Sequence, residues 1–92
     1  MIDETKSSCL KRLSRIEGQV RGIARMVEEE RYCIDVVTQV SAVRAALAKV
    51  EDEIIKDHVG HCVEHAIMSG DPAQQRAKVN ELVDALSRMG AR

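Results

Sequence analysis

Between Cys33 and Met68 the chain has no proline, and apolar residues recur at helical spacing. Val36, Val37, Val40, Val43, Leu47, Val50, Ile54, Val59, Val63 and Ile67 carry that face. A helix of this length has more apolar face than a small protomer can cover, so it requires a partner helix along its length. Gly60 is a local weak point near its far end. The run reads as helix, and the small size of the chain favours oligomerisation. Phe and Trp are absent and there is one Tyr, so Val, Ile, Leu, Ala and Met must do the packing. With 92 residues the chain reads as one small all-α domain, residues 1–92, whose own core is modest.

Two shorter helices flank the long one. The first is predicted from Thr5 to Glu29, with Leu10, Leu13, Ile16, Val20, Ile23 and Val27 as its apolar stripe. Gly18 and Gly22 interrupt it at a cost of about 1 kcal/mol each, and their spacing permits close approach of another backbone. Glu30-Arg31-Tyr32 forms a short corner. Ser69-Gly70-Asp71-Pro72 is a turn, since Gly closes a helix and Asp-Pro opens one. The third helix follows from Pro72 to Met89, facing inward through Val79, Leu82, Val83 and Leu86; Gly90-Ala91-Arg92 reads as a frayed tail. No repeat, low-complexity segment or linker appears.

The net charge of −1 neither predicts nor excludes a nucleic-acid partner, but its distribution is uneven. From Thr5 to Met26 there are six basic residues, Lys6, Lys11, Arg12, Arg15, Arg21 and Arg25, against one acid, Glu17. Such a face is either a solvated helix surface or a phosphate-binding one. Three cysteines, no secretory signal and no membrane-spanning run point to a cytoplasmic protein with reduced thiols. In that compartment cysteines suggest metal or redox chemistry more than structural disulfides. No nucleophile–base–orienter set or phosphate loop is visible, so the chain does not read as an enzyme.

Cys33, His58 and Cys62 share a stripe of the second helix. His58 and Cys62 lie 25 and 29 residues beyond Cys33, which at about 100° per residue places them roughly −20° and +20° from it. The axial separation of Cys33 and His58 is nevertheless roughly 37 Å. One unbroken helix cannot assemble the three side chains; two antiparallel copies can. The result is a two-thiol, one-imidazole site across a homodimer interface. Structural zinc takes four protein ligands, whereas two thiolates and an imidazole suit trigonal Cu(I). Cys33 also lies near a helix N-terminus, where the dipole favours thiolate. Taken singly, each residue has an ordinary alternative, a small core cysteine or a satisfied core histidine. His65, about 40° off the stripe, is a possible fourth ligand, whereas His61, about 80° off, reads as solvated. Cys9 reads as structural, with redox chemistry as its alternative.

Three segments carry a family resemblance. They are Arg12-Leu13-Ser14-Arg15-Ile16-Glu17-Gly18-Gln19-Val20-Arg21-Gly22-Ile23, then Tyr32-Cys33-Ile34-Asp35-Val36-Val37-Thr38-Gln39-Val40-Ser41-Ala42-Val43, then His58 to Ala66. Over nearly its whole length the chain resembles the copper-sensitive operon repressor (CsoR) family of bacterial regulators, which also holds nickel/cobalt, persulfide and formaldehyde sensors. The resemblance implies three-helix protomers paired into an antiparallel four-helix bundle, and dimers paired into a homotetramer. It implies Cu(I) ligands at Cys33 of one protomer and at His58 and Cys62 of the other, with Tyr32 and Glu81 as an outer shell.

The nickel/cobalt pattern has His in place of the second Cys and an extra His near the N-terminus, and neither is present. The formaldehyde pattern has a Pro near the N-terminus beside the first Cys, which is also absent. The persulfide pattern keeps both cysteines and lacks the His. His58 therefore favours Cu(I). The main alternative is a persulfide or redox sensor that links Cys33 and Cys62 through a disulfide or polysulfide; a plain helical interaction module is another.

No helix-turn-helix, zinc finger or ribbon is present. The resemblance turns the basic first helix into an expected operator-DNA surface, through Lys11, Arg12 and Arg15, with Lys49 on the second helix. The expected mechanism is repression by the apo tetramer and release from DNA on ligand binding.

Overall fold

The computed structural model describes residues 1–90, which form three helices: α1 (Asp3–Glu28), α2 (Cys33–Ser69) and α3 (Pro72–Gly90). No strand occurs among the described residues. Compared with expectation, α1 starts two residues earlier and α2 and α3 each run one residue longer, within the usual fraying of helix ends. Gly90 belongs to α3, while Ala91 and Arg92 of the expected tail lie outside the described residues.

Both corners are built by local chemistry. After α1, Arg31 N–H donates to Met26 O at 2.9 Å and Glu30 N–H donates to Val27 O at 3.1 Å. With Glu30 at φ 54°, this is a Schellman closure with a non-glycine residue at its left-handed position. After α2, Gly70 takes the same left-handed region (φ 68°) without side-chain penalty. Asp71 then caps α3: its carboxylate accepts from Ala73 N–H at 3.0 Å, and Pro72 occupies the first helical position.

Two compact units divide the chain, Met1–Ile54 and the part from Ile55 onward. In the first unit, α1 packs on the early part of α2 through a core of Cys9, Ile16, Val43 and Val50, flanked by Ile23, Ala46 and Ile54. Much of the rest of the expected apolar stripes stays open. Leu10, Val20 and Val27 on α1 and Val37, Val40 and Leu47 on α2 are exposed. One helix covers only a narrow strip of its neighbour, so much of a broad apolar face is left over within a single chain. Among the described residues, no other segment comes within 4 Å of where a side chain at Gly18 or Gly22 would begin.

In the second unit Ala66 is buried and Leu82 half-buried, but Ile67, Val79, Val83 and Leu86 are exposed. Among the described residues, no helix is long and apolar enough to cross a membrane.

Candidate metal centre

The i,i+4 spacing on α2 brings His58 and Cys62 together. Cys62 Sγ lies 3.5 Å from His58 Nδ1 and 3.4 Å from Nε2. The ring is 47% exposed and Cys62 is half-buried. From α3, Glu81 places Oε1 3.6 Å from His58 Nε2, while its Oε2 accepts from Lys78 Nζ at 3.2 Å. The Glu81 carboxyl is held below its ordinary pKa, chiefly by the hydrogen bond and charge of Lys78, with a smaller contribution from His58. A carboxylate facing Nε2 favours the proton on that nitrogen, which leaves Nδ1 as a lone-pair donor beside the thiol.

One borderline nitrogen and one soft sulfur on adjacent turns are the donor chemistry that Cu(I) and Zn(II) accept. The pair is incomplete by itself. Among the described residues, no group of three His, Cys, Asp or Glu side chains is placed to hold a metal ion. Cys33 opens α2 as an exposed thiol, and Tyr32 stands just before it, 66% exposed, its carbonyl accepting from Val36 N–H at 3.2 Å. His65 is exposed on α2 and forms no such three-residue group. His61 is exposed, as its phase implies, but its Nε2 is 3.4 Å from the well-covered carboxylate of Asp57. Cys9 is buried in the α1–α2 core, as a structural cysteine should be.

The basic residues expected to meet DNA all lie in the first unit. Lys11, Arg15 and Lys49 are exposed. Arg12 is half-buried, with Nε 3.4 Å from Glu53 Oε1. Glu53 also accepts from Ser8 Oγ at 2.9 and 3.0 Å and from Cys9 Sγ at 3.4 Å. Its carboxyl is held below the ordinary range first by Ser8, then by Cys9 and Arg12, against an opposing effect of partial desolvation. Glu53 has no special mark in the sequence, where it sits inside the acidic run Glu51-Asp52-Glu53. Lys78 is the other group that sequence reading missed; its i,i+3 spacing to Glu81 was the available signal.

Residues 5–88 match the family described as metal-sensitive transcriptional repressor. The chain belongs to this family. Its members are transcriptional repressors, not enzymes. The repressor is 48% identical over 86 residues to the copper-sensing transcriptional repressor RicR of Mycobacterium tuberculosis H37Rv, covering 94% of this chain and 88% of that one. Its fold matches the crystal structure of the copper-sensing repressor CsoR with Cu(I) from Geobacillus thermodenitrificans at TM-score 0.86 and 41% identity, over 98% and 91% of the two chains. The nickel-responsive transcriptional regulator InrS matches at TM-score 0.76, also at 41% identity, over 90% of each chain. Overall likeness thus fixes the family, while the choice of metal falls to the donor atoms.

Proposed function

We propose that the protein is a cytoplasmic repressor that binds operator DNA as an apo homotetramer, built of antiparallel dimers, and leaves it on binding Cu(I). The whole chain acts as one sensing and DNA-binding domain. Cys33 of one protomer, with His58 and Cys62 of another, holds the ion. The observation that carries this reading is the convergence of His58 and Cys62 beside Glu81, with no third ligand among the described residues to complete the group. Cys33, His58 and Cys62 would hold Cu(I), which would supply soft Lewis-acid chemistry suited to thiolate and imidazole. Glu81 and Tyr32 orient the ligands, and His65 stands near enough in sequence to be tested as an extra one.

The residues at the two ends of α2 come from different protomers, so holding one ion fixes the relative placement of two chains. That constraint biases the oligomer away from the form in which Lys11, Arg12, Arg15 and Lys49 face phosphates. A coupling free energy of about 1–3 kcal/mol weakens DNA binding by roughly 5- to 150-fold.

The test is anaerobic titration of the reduced protein with Cu(I) against a competing chelator, followed by mobility shift on operator DNA. One tight Cu(I) per protomer and loss of the DNA complex are expected; unchanged DNA affinity at saturating Cu(I) sinks the reading. The exposed Cys33 thiol supports a second reading, a persulfide or redox sensor. In that case Cys33→Ser and Cys62→Ser abolish the response while His58→Ala leaves it intact.

A further inference from the structure

We propose that Glu53 is a positioning residue for DNA binding, a carboxylate clamp that holds the Arg12 guanidinium ready for a backbone phosphate. The proposal rests on the reading of Arg12 as a phosphate contact. Its basis is a four-residue network between α1 and α2. Glu53 on α2 accepts from Ser8 Oγ at both carboxylate oxygens, 2.9 and 3.0 Å, and from Cys9 Sγ at 3.4 Å. The Cys9 end of the network is anchored in the core. The carboxylate is therefore fixed before it meets arginine, and Oε1 then meets Arg12 at Nε, 3.4 Å away.

The choice of nitrogen matters. Nε is the inner donor of the guanidinium, and the two Nη groups lie beyond it at the end of the side chain. An arginine held at Nε keeps the outer fork that matches phosphate. The Arg12 side chain is 38% exposed, so it is neither buried in the core nor fully solvated. An unrestrained arginine must lose its rotamer freedom on meeting DNA; one already ordered by Glu53 has lost part of it on folding. Immobilising one such side chain on binding weakens affinity by roughly two- to tenfold.

Two effects of Glu53 oppose each other. Its negative charge repels DNA, so removing the charge alone would tighten binding. Its hold on Arg12 pre-orders the contact, so removing the hold would weaken binding. The repulsion is screened by salt over about 8–10 Å and by the Arg12 charge between the two anions, whereas the ordering acts directly on the contact. Ordering prevails.

The experiment is operator binding by fluorescence anisotropy across a salt series, with the apo forms of wild type, E53A, E53Q, R12A and R12A/E53A. E53A is expected to weaken binding roughly two- to tenfold, and to have no further effect in the R12A background. E53Q retains an acceptor for Ser8 and serves as the folded substitute should E53A melt; it is expected to weaken binding in the same direction. R12A is expected to lower the salt slope by about one phosphate contact per Arg12 engaged. Tighter binding by E53A and E53Q makes Glu53 a mask and overturns the proposal. Equal weakening in both backgrounds makes it merely structural and overturns it too. If R12A changes neither affinity nor slope, the reading of Arg12 as a phosphate contact has failed, and the clamp with it. If R12A weakens binding and neither Glu53 variant does, only the clamp has failed.

Discussion

Cys62 Sγ stands 3.4–3.5 Å from both ring nitrogens of His58, one helical turn away. Neither nitrogen is singled out by the thiol, so the decision between them falls to Glu81, whose Oε1 faces Nε2 at 3.6 Å. A carboxylate on that side favours the tautomer with its N–H at Nε2, which turns the Nδ1 lone pair toward the thiol. In the proposed site the pair on α2 would supply two of the ligand atoms, and Glu81 on α3 would orient them.

Glu81→Gln is therefore expected to leave the protein folded and still metal-binding, but with Cu(I) affinity or DNA release weakened by about 10- to 100-fold, the usual cost of losing an orienting partner. Chelator competition and mobility shift measure the two effects separately. An E81Q protein with wild-type affinity and full release would remove Glu81 from the site.

Ile16 is 6% exposed and packs with Cys9, Val43 and Val50. Ile16→Ala leaves a cavity in a small core and is expected to cost about 2–5 kcal/mol. Urea unfolding at fixed protein concentration reads this. Leu10→Ala, at a residue 56% exposed within the chain, is the informative companion. A cost there comparable to Ile16→Ala shows that another protomer covers Leu10.

That contrast also marks what the sequence makes legible. Helical periodicity shows how wide an apolar face is, not which part of it the same chain covers. Ile16 and Val20 belong to one stripe, yet one is buried and the other 50% exposed. The Asp71-Pro72 start of α3 was legible because capping chemistry is local. So was the His58–Cys62 pairing, because i,i+4 neighbours meet in any helix. Glu53 was not, because its partners Ser8 and Cys9 are 45 and 44 residues away and only tertiary packing joins them.

Glu30 holds a left-handed φ of 54° at the close of α1. A non-glycine residue there costs roughly 1–2 kcal/mol. Glycine relieves that strain but gives back about 0.4–1 kcal/mol, because its unfolded chain has more conformational freedom to lose. Glu30→Gly is expected to stabilise the protein by up to about 1.6 kcal/mol, the difference of the two effects, read as a raised urea midpoint with unchanged slope. A lowered midpoint would mean that the Glu30 side chain contributes more than its backbone strain removes.

The Glu53 carboxyl sits below its ordinary pKa in the folded protein because Ser8, Cys9 and Arg12 favour its charged form. A depressed folded pKa gives stability that is fully present above the unfolded carboxylate value of about 4.3 and is lost as pH falls through the folded value. Acidification from pH 7 to about pH 3 should therefore lower the melting temperature of wild type more steeply than that of E53Q. The amide of that variant cannot ionise, so the difference between the two curves isolates this network from the other carboxylates. The curves should run parallel from neutral pH to about pH 5 and converge below it. Because protonation removes the anion that orders Arg12, the apo protein's grip on operator DNA should weaken over the same acidic interval in wild type and stay flatter in E53Q. Parallel melting curves down to about pH 3 would show that the Ser8–Cys9–Arg12 contacts do not distinguish the charged carboxylate from its neutral isostere.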